Sequence, residues 1–385
     1  MRKSEQGLLV THVGSLPRGA RLNELLIRAE LGEGVASAEL EAEVERRVAH
    51  VFGQQRDLGI DICNDGEQGR VGFQTYVAQR MAGFGGQSNR RRPRDMTDFP
   101  DYGKLLAERF PRRGKQFNAP QAVAEVRYRD TTAIDAEVAR LARHAKAAGR
   151  DPADCFMTAP SPGIIAAAMK NEHYDSEEAY LAAVATAIQV EYEAIVKSGF
   201  LLQLDCPDLA LEGHLTYNDR PIGEFLGFVE RVVAAINKAI VNVPRDRVRL
   251  HVCWGNYEGP HDRDVPLADI LPILQRANVG GFVLPFANPR HQHEYRVLQK
   301  FPLADDQIIA AGVIDDLTGF VEHPEVVADR LENVARAVGD PRRVMACTDC
   351  GFDTSAGMGR VTEDVVWAKL AAMAEGARIA TQRLF

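Results

Sequence analysis

Short apolar runs alternate with stretches of helical periodicity along almost the whole chain, and there are eight of them. They fall at 7–13, 60–63, 155–158, 200–205, 248–253, 281–284, 308–313 and 344–347. Each is apolar on both faces, the pattern of parallel strands covered by helices. Between them lie helical stretches, among them 37–58, 135–148, 176–197, 222–240, 325–338 and 361–382, with Ser176 the expected N-cap of the third. Eight strand–helix units predict an α/β chain of the (β/α)8 TIM-barrel class, a single barrel domain spanning residues 1–385. An open doubly wound sheet that bound a dinucleotide would carry G-x-G-x-x-G after its first strand, and none is there. One segment breaks the rhythm. From about 85 to 130, glycines (Gly85, Gly86) give way to Arg90-Arg91-Arg92-Pro93-Arg94 and then to mixed polar residues. This is read as an inserted excursion after strand 2, a hairpin or cap over one end of the barrel, with the arginine run a solvated face.

Charge and cysteine usage narrow the function. A net charge of −8 and a pI near 5.8 leave no basic face for nucleic acid. No uninterrupted apolar run reaches the roughly 18 residues of a membrane span, and the N-terminus lacks a signal-peptide pattern. A cytoplasmic protein is expected, with no membrane partner and with self-association into a homo-oligomer left open. In a reducing compartment the six scattered cysteines are core residues, metal ligands or catalytic thiols and not a disulfide framework.

The active site of such a barrel lies at the C-terminal ends of its strands, and unusual polar residues collect there. Strand one ends in His12, Gly14 and Ser15; strand two in Asp65 and Glu67; strand four in Asp205 and Asp208. Strand five ends in His251 and Cys253, strand six in Asn288-Pro289-Arg290-His291, strand seven in Asp315 and Asp316, strand eight in Asp349 and Cys350. His251 and Cys253, two apart on an extended strand, point the same way. Alone this H-x-C is a weak metal pair; Cys350 at the mouth beyond the last strand strengthens it. A thiolate-rich donor set selects zinc over hard cations. Cys347 is either a fourth donor or a small core residue, and Cys63, Cys155 and Cys206 read as buried hydrophobes. Zinc with two cysteine ligands can bind an incoming thiol, lower its pKa and hold the reactive thiolate for attack on an alkyl group. Hydrolysis by zinc-bound hydroxide is the other use, but it more often employs His and Asp donors.

The segments Thr11-His12-Val13-Gly14-Ser15-Leu16-Pro17-Arg18, Asp65-Gly66-Glu67, Gln203-Leu204-Asp205-Cys206-Pro207-Asp208, His251-Val252-Cys253, Ala287-Asn288-Pro289-Arg290-His291, Gly312-Val313-Ile314-Asp315 and Asp349-Cys350-Gly351 run through nearly the whole chain. Together they resemble the C-terminal catalytic barrel of cobalamin-independent methionine synthase, in a short single-barrel form. The resemblance implies zinc held by His251, Cys253 and Cys350, and a homocysteine amino acid gripped by Ser15, Glu67 and Asp205. A small thiol and an alkyl donor are the expected partners, with methyltetrahydrofolate the donor in the narrow version. Asp65 and Asp315 are the candidate catalytic carboxylates, and His12, Gly14 and Asp208 complete the candidate substrate-binding set.

Three positions depart from that family. Its further zinc ligand, a Glu, aligns with Pro285; a His after strand seven aligns near Leu317; and a Glu after the strand-four Asp is Cys206. Zinc then uses three protein ligands plus water or substrate, or else Glu294, His291 or Cys347 substitutes. The runner-up is a related enzyme that opens an epoxide with a thiol such as coenzyme M. From another class, a non-catalytic zinc-binding barrel is also considered.

Overall fold

The computed structural model describes residues 1–91, 93–109 and 119–385. Arg92 of the arginine run and residues 110–118 of the expected excursion lie outside the described residues. The strands, in chain order, are β1 (Leu9–Val10), β2 (Met81–Gly85), β3 (Gln121–Tyr128), β4 (Phe156–Pro160), β5 (Leu201–Asp205), β6 (Val248–His251), β7 (Gly281–Pro285), β8 (Ile308–Ile314) and β9 (Val344–Thr348). Among the described residues, seven of them form one parallel sheet in the order β1-β9-β8-β7-β6-β5-β4. All seven are buried along their length, as the two-sided apolar runs require.

The run 60–63 is not one of these strands. It carries a single parallel bridge, Cys63 to Cys155, yet it bonds to both edges of the sheet. Asp61 and Ile62 donate their N–H groups to the Val10 carbonyl at 2.9 and 3.1 Å, and Phe156 donates its N–H to the Cys63 carbonyl at 2.9 Å. Side chains stand in for a ladder here: Asp61 Oδ2 accepts the Val10 N–H at 2.9 Å and Thr11 Oγ1 donates to the Ile62 carbonyl at 2.9 Å. One short segment can reach β1 and β4 together only because the sheet is curled.

Alternation along each strand sorts side chains into two cores. Outward residues such as Val248 and Leu250 pack under the helices, while Leu9, Phe156, Val283, Met345 and Cys347 cluster inside the curl. The helix Glu177–Lys197, capped by Ser176 Oγ accepting the Ala179 N–H at 3.1 Å, belongs to the outer layer. It is long and apolar enough to cross a membrane by length and composition, but half of that apolar stretch is buried against the rest of the fold. β2 and β3 pair antiparallel as a separate hairpin with an irregularity between Ala82 and Phe84. Gly83 takes φ 94° there, where a Cβ would stand 2.5 Å from the Glu125 carbonyl oxygen. Arg90 does not simply face water: it pairs with buried Glu212, and the exposed Arg91 meets Asp219 at 3.2 Å, tying the connection between β2 and β3 to the loop after β5.

Candidate active site

β5 and β6 pair in register, with Gln203 opposite Arg249 and Asp205 opposite His251. Both pairs point into the curl. Arg249 Nε donates to Gln203 Oε1 at 2.8 Å, making a polar layer beneath the site. One step further along the strands, His251 Nδ1 lies 3.1 Å from Asp205 Oδ1. That contact commits Nδ1 and leaves Nε2 buried with no partner. The sulfurs of Cys253 and Cys350 lie 3.9 Å apart, and the ligating atoms of His251, Cys253 and Cys350 all fall within 4.8 Å of one another. Two sulfurs about 2.3 Å from a tetrahedral zinc would stand about 3.8 Å apart, so the spacing, the orphaned nitrogen and the soft donors all fit that ion. Burial opposes protonation of His251, but the bond to Asp205 and the nearby Cys350 sulfur outweigh it and lift the imidazole to about 10. A metal at Nε2 would displace that proton.

The alternatives for a further ligand are engaged elsewhere. Glu294 accepts the Leu267 N–H at 2.7 Å and holds His291 Nδ1 at 2.7 Å; Cys347 packs in the inner apolar core. Among the described residues the metal-compatible group is therefore His251, Cys253 and Cys350.

A cavity of about 160 Å³ opens on these ligands and is walled by Ser15, Glu67 and Asp205. Glu67 is presented by a tight turn: Asp65 Oδ1 accepts the Glu67 N–H at 2.9 Å, and Glu67 itself takes φ 57°. Its Oε1 accepts from Thr158 Oγ1 at 2.8 Å, while Oε2 is buried without a partner. Burial, then the charge of Asp205, push Glu67 up to about 7. Gly14 leaves room for this carboxylate, since a Cβ there would meet Glu67 Oε1 at 2.9 Å; Gly351 likewise lets Ser15 Oγ approach the chain beside Cys350.

Other candidate residues are placed apart from this cavity. His12 is buried against Gln55 (2.8 Å) and Phe156, and burial lowers it to about 4, so it is a neutral core imidazole. Asp208 accepts from Ser161 Oγ at 2.8 Å beneath a short helix. Asp65 shapes the Glu67 turn. Asp315 borders a second cavity, of about 260 Å³, and its Oδ1 accepts the N–H groups of Leu317 and Thr318. Cys253, Gly255 and Cys350 line both cavities.

The second cavity rests on a network that the sequence pattern does not announce. Trp254 stacks on His291 with ring centroids 3.9 Å apart. Asp264, almost wholly buried, holds His291 Nε2 at 2.9 Å, His261 Nδ1 at 3.0 Å and His214 Nδ1 at 3.0 Å. The only hint in the chain is that histidines and aromatics recur in the loops following successive strands.

No family model matches the chain. It is 26% identical to the methionine synthase of Thermococcus kodakarensis over 97% of this chain and 93% of that protein. It is 24% identical to the 2-hydroxypropyl-CoM lyase of Xanthobacter autotrophicus over 90% of this chain and 87% of that one. Among solved structures, the B12-independent methionine synthase of Shewanella sp. W3-18-1, in complex with selenomethionine, superposes with a TM-score of 0.73 at 22% identity, covering 98% of this chain and 99% of that one. In sequence and in fold, over nearly its whole length, the chain is similar to cobalamin-independent methionine synthases.

Proposed function

We propose that the protein is a zinc-dependent methyltransferase that methylates the sulfur of homocysteine. The observation that carries this is the buried, unpartnered Nε2 of His251 converging with two thiols at the wall of an acidic cavity. His251, Cys253 and Cys350 would hold zinc, whose chemistry when bound is to lower a thiol's pKa and keep it as thiolate. Pro285, ending β7 where a fourth ligand is expected, offers no donor atom, so a zinc held by these three residues would still be able to take the substrate sulfur. Asp205 fixes the His251 ring through Nδ1. Glu67 and Asp205 then receive the substrate ammonium, whose charge favours an ionised Glu67, and Ser15 with the Gly14 backbone receives its carboxylate. In this reading Asp65 acts by holding the Glu67 turn, Asp315 shapes the facing cavity, and His12 and Asp208 support the walls. The segment 60–63 serves as an eighth stave that closes the barrel, and Arg90 and Asp95, in the described part of the 85–130 excursion, stand at its mouth. Six free thiols suit a reducing, cytoplasmic setting.

A second reading is favoured by the 2-hydroxypropyl-CoM lyase relative and by Pro285 and Leu317: thiol addition to an epoxide. Zinc analysis with zinc-edge absorption spectroscopy separates these. Methyl transfer to homocysteine expects about one zinc per chain and one additional sulfur in its shell on adding homocysteine. An additional sulfur with coenzyme M but not with homocysteine supports the epoxide reaction. A protein that neither contains nor takes up zinc overturns both.

A further inference from the structure

Arg90 has no part in the mechanism above, although it lines the cavity that opens on His251, Cys253 and Cys350. It is the one lysine or arginine among the described residues of that wall, whose carboxylates are Glu67 and Asp205. It comes from outside the parallel sheet, on the connection between β2 and β3, and joins Pro207 and Leu211 from the segment after β5. Its Nη2 donates to Oε1 of Glu212, which is 1% exposed, and the other oxygen of Glu212 accepts from Thr216 Oγ1. Its Nε is buried with no hydrogen-bond partner. Arginine carries five N–H donors in a planar fork. A single carboxylate oxygen on Nη2 therefore fixes this side chain without exhausting it.

Charge balance says what the rest of the fork is for. The thiolates of Cys253 and Cys350 cancel the charge of a bound zinc, so a substrate sulfur arriving as thiolate adds a negative charge beside Asp205. An ammonium on the substrate offsets this at Glu67 and Asp205. An acid group on the same molecule brings a further negative charge, and the donors assigned to it above, Ser15 and the Gly14 backbone, are neutral. Like charges repel more strongly away from bulk water. Arg90 supplies the missing cation, in the forked geometry that suits an acid group. We propose that Arg90 is a specificity residue that selects a thiol substrate bearing an acid group, a carboxylate or a sulfonate, with Glu212 holding the guanidinium in place. This rests on the reading that the thiol binds in the first cavity. If Arg90 were only a tie between the β2–β3 connection and the segment after β5, its loss would affect thiols with and without an acid group alike.

The test uses the full-length, zinc-loaded protein and two pairs of thiols, the members of each pair differing by the acid group. Homocysteine is paired with aminopropanethiol, which lacks its carboxylate, and coenzyme M with ethanethiol, which lacks its sulfonate. Dissociation constants are measured by titration calorimetry, directly or by competition, with no alkyl donor present. Whichever acid-bearing thiol binds names the acid. Within that pair, Arg90→Gln is expected to raise the Kd of the acid-bearing thiol about tenfold or more and to leave that of its acid-free partner unchanged. Zinc content and melting temperature should be retained. Arg90→Lys keeps the charge and loses the fork, so it should recover part of the loss. Equal weakening of both members of the pair, or no weakening of either, overturns the proposal and leaves the methyltransferase reading standing. No binding of any of the four thiols defeats the thiol-activating reading itself, and the proposal with it.

Discussion

Asp205 shows what one carboxylate does when register brings it beside a ligand. Its Oδ1 faces His251 Nδ1 at 3.1 Å and also accepts from Gln203 Nε2 at 2.8 Å, so it is held on both sides. A carboxylate on the far nitrogen of a metal-binding histidine sets the tautomer and raises ligand basicity, and losing such a partner typically costs 10–100-fold in metal affinity. Asp205→Asn keeps the shape and one acceptor but removes the charge. We expect zinc affinity, measured by competition with a chromogenic chelator, to fall by about tenfold or more, with the fold intact by circular dichroism. An unchanged affinity would leave Asp205 with substrate contacts only. His251, Cys253 and Cys350 are legible in the sequence because strand alternation and the position of Cys350 place them at one mouth. The Asp205–His251 contact is not, because it depends on which strands are neighbours and in what register. His12 illustrates the opposite error of emphasis: it sits at a strand end in the right motif, yet its ring turns into the core against Gln55 and Phe156.

At the scale of elements, loops that carry the site are fixed by buried polar anchors. Asp264 draws together His214 from the loop after β5, His261 from the loop after β6 and His291 from the loop after β7. Burial would lower His291, but its bonds to Asp264 and Glu294 raise it to about 9. A folded-state pKa above the ordinary 6.5 means the pair stabilises fully below about pH 6.5, and that this contribution is lost as pH rises through about 9. Removing one partner of a buried pair costs about 3–5 kcal/mol. Asp264→Asn should therefore lower stability in urea by a few kcal/mol at pH 6, and the deficit should shrink markedly at pH 10. A deficit independent of pH would show that Asp264 acts through packing alone. Alternating strands and helices were legible because their periodicities are strong. This anchor was not, because three loops distant in sequence supply it and no periodicity marks a loop. Pro285 belongs here too: the strand ends as expected, and only the structure shows that Glu294, His291 and Cys347 are all occupied elsewhere.

For the whole molecule the question is how a seven-stranded curled sheet holds its two edges together. The sequence marks 60–63 as an apolar run like the others, but Asp61 in its middle changes how it pairs. Asp61 Oδ2 accepts the Val10 N–H, while the Asp61 and Ile62 N–H groups share the Val10 carbonyl. Across the seam on the β4 side, Cys63 donates its N–H to Asp154 and accepts from Phe156, and Cys63 and Cys155 place their sulfurs 3.6 Å apart. Few backbone bonds therefore close the curl, compared with the continuous register of β4 on β5. Asp61 is partly exposed, so its value lies in satisfying the Val10 N–H rather than in charge. Asp61→Ala leaves that donor unmet, at a cost of about 1–3 kcal/mol. If the seam is the weak line of the fold, the cost should be local: amide exchange at Val10, Ile62 and Phe156 should speed up by about tenfold or more, while Ala346 in the neighbouring ladder is protected as before. Because Glu67 stands four residues beyond Cys63, the same loosening should reach the acidic wall and weaken homocysteine binding without changing zinc content. Uniform acceleration of all these amides would instead mean that the curl opens only with global unfolding, and that the seam is as strong as the sheet it closes.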